Sequence, residues 1–143
     1  MEVEWLILAD AAQIAGNKLY LMGGGWDRLT INRPLPVQQQ MAVAAAFRVD
    51  WNETNMKHQF EIEVADADGV TLGKVSGSME VGRPPGITPG QEQRTQIAVG
   101  LGVPIKQLGT YVIIARVNGQ EGRRFPFSVV GPPGAGTGPS PGA

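Results

Sequence analysis

The side chains able to do chemistry are few and scattered. His58 is the single histidine, and there are no cysteines. That removes a disulfide framework, a thiolate zinc site and a cysteine nucleophile. A Ser–His–Asp arrangement needs an activated serine beside His58, and no G-x-S-x-G lies within residues 1–130. Ser76-Gly77-Ser78 falls instead inside a β-like run whose polar residues point outward. With one histidine, a metal site would have to be built mainly from carboxylates. Asp66-Ala67-Asp68-Gly69 offers two of them, but no carboxylate follows until Glu80. Calcium takes about six to eight oxygen ligands. A hairpin turn explains the same four residues fully, because Asp favours turn initiation and Gly tolerates positive φ. Glu61 and Glu63 are formal candidates for acid–base work. They alternate with Phe60, Ile62 and Val64, so both are expected to face solvent and titrate normally. The chain is therefore expected to be no enzyme, with no catalytic residue, cofactor or metal site.

Binding is the chemistry left open. Trp51 stands alone in a polar loop, DWNETN (50–55), where an exposed tryptophan can anchor a partner. Asn52 lies beside it. Asn52-Glu53-Thr54 matches the glycosylation acceptor pattern, one common by chance. Arg83 is the one charge in GRPPGITPG (82–90), a loop that three prolines stiffen. Two apolar faces complete the candidate surface. Ala42, Ala44 and Ala46 make a flat, small face on one strand. Ile114, with Val112, gives the Tyr111–Val117 run apolar residues on both sides. Such a run is either a central strand covered on both faces or a patch that takes a partner.

These residues must be positioned by strands. Asn118-Gly119 between two apolar runs is the strongest short-range hairpin signal. Beyond it Phe125, Phe127 and Val129 alternate with Arg124, Pro126 and Ser128. Pro126 cannot donate to a ladder, so that strand is expected at a sheet edge or with this position facing solvent. Val43, Ala45, Phe47 and Val49 make a second apolar face. Phe60 to Val64, Val70 to Val81 and Ile97 to Val103 supply further strands. Residues 3–15 are compatible with helix or strand. The turn pair Gly16-Asn17 and the run Leu19–Met22 favour two strands. Gly23–Gly25 would cradle a phosphate only if a helix followed, and Trp26–Asn32 is β-like. The fold class expected is all-β, a two-sheet antiparallel β-sandwich, immunoglobulin-like in general architecture, with about eight strands; a closed barrel is the alternative. The domain spans 1–130. Residues 131–143, GPPGAGTGPSPGA, carry no charge and no bulky apolar group, so a disordered tail is expected there.

Composition bounds the partners. Twelve basic residues nearly balance thirteen acidic ones. No long-range field of one sign is expected, which argues against nucleic acid and anionic membrane. No apolar run approaches the roughly 20 residues that span a bilayer. Glu2 and Glu4 stand where a signal peptide would be basic. A cytoplasmic protein is expected.

Three stretches, MEVEWLILADAAQIAGNKLYLMGGGWD (1–27), FRVDWNETN (47–55) and EVGRPPGITPGQ (80–91), resemble a family of small uncharacterised bacterial proteins, actinobacterial in type, known only as a domain of unknown function. The resemblance covers roughly Met1 to Val130 and implies a stand-alone bacterial β domain without a transferable site. The function expected is a non-catalytic protein-binding or assembly module whose partner is itself or another protein. The alternatives are a small-ligand or carbohydrate binder using Trp51 and the Arg83 loop, and a hydrolase of unrecognised type.

Overall fold

The computed structural model describes residues 1–132. Nine strands are present among them: β1 (Glu2–Ala15), β2 (Lys18–Gly24), β3 (Arg28–Thr30), β4 (Val37–Val49), β5 (Lys57–Asp66), β6 (Thr71–Glu80), β7 (Gln93–Ile105), β8 (Gly109–Val117) and β9 (Gln120–Val130). One sheet has the order β2-β1-β4-β7, and the other β3-β9-β8-β5-β6. The architecture is the expected sandwich, immunoglobulin-like in outline. Residues 3–15 are strand, within β1. The additional strand is β3, three residues long, and it pairs with β9 in parallel. The sandwich is otherwise antiparallel. The tail expected at 131–143 lies, from residue 133 onward, outside the described residues.

The turn signals work as their chemistry requires. Gly16-Asn17 has φ of 57° and 63°, and Asn118-Gly119 has 51° and 81°, so both hairpins close through two left-handed residues. At Asp66–Gly69 the Asp66 Oδ1 accepts from the N–H groups of Asp68 and Val70, both at 2.9 Å. That carboxylate is part of the turn.

The core fills the space between the sheets. Val43, Phe47, Ile62, Val64, Ile113 and Phe127 are among its fully buried members. The alternation read from β4 is the one observed: Val43, Ala45 and Phe47 face inward, and Ala42, Ala44 and Ala46 outward. β9 likewise buries Phe127 and Val129. Pro126 pairs with Val112 on β8 and precedes the Ser128–Val130 stretch that β3 covers. Its missing N–H therefore removes no bond to β3, and the strand is an edge at that point. The 82–90 loop is the crossover from one sheet to the other.

The outward alanine face is covered from within the chain. β1 pairs with β4 only as far as Ala9↔Ala42. Beyond it, β1 pairs with β2 alone. This β1–β2 arm folds back over the outside of its own sheet. Its tip reaches β7, where Gln96 Nε2 donates to the Asn17 carbonyl at 3.2 Å. Cross-strand pairing sorts the arm into two faces. Ala12↔Leu21 and Ile14↔Leu19 point one way, Ala11↔Met22 and Gln13↔Tyr20 the other. Ala12, Ile14 and Leu19 are half-buried, whereas Ala11, Gln13, Tyr20 and Met22 are exposed. The first set is the underside and lies on the alanines, whose small side chains let a second layer of backbone approach. The bend needs Gly23: φ is +59°, and a Cβ there would collide with the Asp10 carboxylate. Trp26 faces the interior, edge-on to Phe127 at 6.0 Å.

Candidate functional site

Among the described residues, four clusters bring polar or exposed apolar side chains together. The first joins Trp51 and Arg83. Trp51–Glu53 is a single 3₁₀ turn between β4 and β5. The Asp50 N–H donates to Glu53 Oε1 at 3.0 Å and closes it. The β5–β6 hairpin pairs Lys57 with Glu80. The same register, carried three residues further, brings Thr54 to Arg83. Arg83 Nε donates to Thr54 Oγ1 at 2.7 Å, and Nη2 to the Trp51 carbonyl at 2.9 Å. The guanidinium lies 3.7 Å from the centroid of the Trp51 ring. Two residues proposed for one surface are therefore in contact, with exposed Asn52 beside them. The contact also occupies one face of the indole, which a sugar ring would otherwise stack on.

His58 belongs to the second cluster and is buried. Its Nε2 lies 2.8 Å from the Glu53 carbonyl, which can only accept. Its Nδ1 lies 3.0 Å from Asn118 Nδ2. Asn118 Oδ1 already accepts from the Gln59 N–H at 2.9 Å, which turns the amide NH₂ toward the ring. The Nε2–H tautomer satisfies both contacts. His58 pins the 3₁₀ turn to the β8–β9 turn, and both ring nitrogens are used.

The third cluster corrects the reading of β5. Glu63 is 8% exposed and does not face open solvent. Thr71 Oγ1 donates to one of its carboxylate oxygens. Arg116 Nη1 bridges the other, at 2.6 Å, to Glu61 at 2.7 Å. The Thr71 hydroxyl and then the Arg116 guanidinium hold the Glu63 carboxyl below its ordinary value. Glu63 thus binds fewer protons folded than unfolded. Its stabilisation is complete above the ordinary value of 4.5 and is lost as pH falls through the lowered folded value. Arg116→Met is expected to cost roughly 1–3 kcal/mol at neutral pH, by leaving a buried acceptor short of its donor. It should also flatten the acid limb of stability. Urea unfolding from neutral pH to about pH 3 reads both: superimposed curves for variant and parent would refute the pair, and parallel, offset curves the second alone.

Ile114 and Ala44 are corrected with it. Ile114 is 4% exposed and sits between its cross-strand neighbours Glu63 and Arg124, long side chains that share its face of the sheet. Ala44 is 0% exposed beneath the arm. Neither is a surface. The chain covers both apolar faces itself.

The fourth cluster is the surface that sequence reading passed over. On the upper face of the arm Met22 is 73% and Tyr20 56% exposed. β2 is the last strand of its sheet, and its far edge pairs with no strand among the described residues. Four consecutive apolar residues, Leu19–Met22, signalled it. A strand that buries one face leaves every second apolar residue outside. A shallow groove of about 600 Å³ separates the arm tip from the 80–84 segment. Both its arginines are engaged within the chain: Arg94 holds Glu4 through contacts of 2.6 and 2.8 Å, and Arg83 donates to Thr54 and Trp51, while Gln93 Nε2 donates to the Gly82 carbonyl at 2.9 Å. Among the described residues no group of three or more His, Cys, Asp or Glu is gathered to hold a metal, and no helix is long and apolar enough to cross a membrane.

Comparison with known proteins places the chain without assigning it chemistry. Among solved structures it is similar to a glycosyl hydrolase family 2 member from Bacteroides cellulosilyticus DSM 14838. Sequence identity is 14% and the TM-score 0.39, over 68% of this chain. The match spans only 14% of that chain. No curated protein matches. A family model matches residues 4–130, nearly the whole domain. The chain belongs to that family, described as a family of unknown function, DUF6941.

Proposed function

We propose that this domain is a non-catalytic protein-binding module that recruits its partner on the β1–β2 arm. The observation carrying the reading is the free edge of β2 with Tyr20 and Met22 exposed beside it. An exposed strand edge is a row of unpaired donors and acceptors, and neighbouring apolar side chains give an added strand something to bury. Leu21, between Tyr20 and Met22, is exposed as well, whereas the other exposed large apolar residues, Met56 and Val70, are single residues in other parts of the chain. The other clusters support the same reading by subtraction: His58, Glu63 and Arg94 are all engaged within the chain. Arg83 already covers a face of Trp51, which leaves the carbohydrate reading less ring to stack on. A cysteine-free sequence suits a reducing cytoplasm.

The test is site-specific photo-cross-linking in cells. A photoreactive residue at position 22 is expected to capture protein, and the capture should vanish when Tyr20→Lys is added. The same probe at Ser78, on the outer face of β6, serves as reference. Equal capture at both positions, or none at position 22, would overturn the proposal.

A further inference from the structure

We infer that the occupant of the β2 edge is a second copy of this chain, paired antiparallel about a twofold axis at Leu21. This rests on the reading above, that an extended segment adds to that edge. β2 is complementary to itself in this arrangement. With Leu21 on the axis, Tyr20 of each copy lies opposite Met22 of the other. Both pairs fall on the upper face, so the two most exposed apolar residues of the arm cover each other. A thioether against an aromatic ring is a favourable contact, and directly opposed residues are the unit of sheet stabilisation.

Charge selects the same pairing. Lys18 is the one charged residue of β2. A parallel, in-register pair would set the two Lys18 side chains side by side. The antiparallel pair sends each to the far end, opposite Gly24 of the other copy, next to Gly23. There the Asp10 carboxylate lies against the Gly23 backbone. Neither Lys18 nor Asp10 has an ion-pair partner within the chain among the described residues. The two four-stranded sheets then run on as one, and the exposed edge disappears. The contact is two short strands, so the dimer is weak and concentration-dependent, near the low end of interface size.

The chain has no cysteine of its own, so introduced thiols report without background. Leu21→Cys is expected to give a disulfide-linked dimer on mild oxidation, because opposed Cα atoms in antiparallel strands are about 4.5–5.5 Å apart, within disulfide range. Tyr20→Cys mixed with Met22→Cys is expected to give a linked dimer of the two different chains, with each variant alone giving several-fold less, since like positions are then diagonal at about 7–8 Å. Light scattering of the unmodified full chain at about 10 and 200 μM should show the apparent mass rising toward twice the monomer, and Met22→Lys should return it to one. A monomer at both concentrations, or linking as fast through an Ala67→Cys control, would overturn the inference. If the chain is monomeric while the position-22 probe still captures another protein, the dimer fails and the binding module stands. If neither occurs, both fail.

Discussion

Phe47→Ala is expected to destabilise the domain by about 3–5 kcal/mol. Phe47 is fully buried on β4, a strand paired on both sides. Its ring meets Phe60 of the opposite sheet at 6.4 Å and so spans the two layers. Removing it deletes a large apolar group and leaves a cavity that two hydrogen-bonded sheets cannot collapse to fill. Domains of this kind have about 5–15 kcal/mol in total, so the variant should sit near its folding limit. Urea unfolding followed by intrinsic fluorescence measures it. Phe125, half-buried near the edge of β9, is the internal comparison and should cost clearly less as alanine. A Phe47→Ala loss below that of Phe125→Ala would mean the core is not centred where the buried residues place it.

Ala44→Glu is expected to cost roughly 2–4 kcal/mol, and to do so in a different way. Ala44 lies on the outside of its sheet with no exposure, under the β1–β2 arm. A carboxylate there has no partner and no room. The chain has an escape that Phe47 lacks: the arm can lift and let water reach the charge. The cost is then capped at whatever free energy holds the arm down, and the sandwich beneath should stay folded. Hydrogen exchange distinguishes the outcomes. Amides of Lys18–Met22 should lose protection by the full amount while those around Val43 and Ile113 keep theirs. Uniform loss across both sheets would show that the arm and the sandwich form one cooperative unit.

How much of this was legible beforehand depended on whether the signal was local. Period two along β4 separates Val43, Ala45 and Phe47 from Ala42, Ala44 and Ala46, because side chains alternate whatever lies above them. The turns at Gly16-Asn17 and Asn118-Gly119 read directly, since positive φ is a property of two residues. What covers a face is decided elsewhere in the chain. Nothing in Ala42–Ala46 says that residues 10–24 fold back over it. Glu63 looked solvated because its strand alternates cleanly, yet its burial comes from Arg116, 53 residues away. Ile114 looked available for the same reason. The Trp51–Arg83 contact falls between these cases, since hairpin register places residue 83 near residue 54 once β5 and β6 are paired. Leu19–Met22 was read correctly as a strand, but its exposure followed only from its being the last one in the sheet.

The parallel pairing of Arg28–Thr30 with Ser128–Val130 has a consequence for synthesis. It ties a segment made early to one made last, and two of the inward residues that finish the core, Phe127 and Val129, come with the later one. A nascent chain holding everything up to β8 therefore presents an open second layer to the cell, with Ile113 and Tyr111 uncovered along the side that β9 will take. No portion of the domain released before residue 130 can bury its own interior. The interval between translating β8 and β9 is when this protein would most need a chaperone.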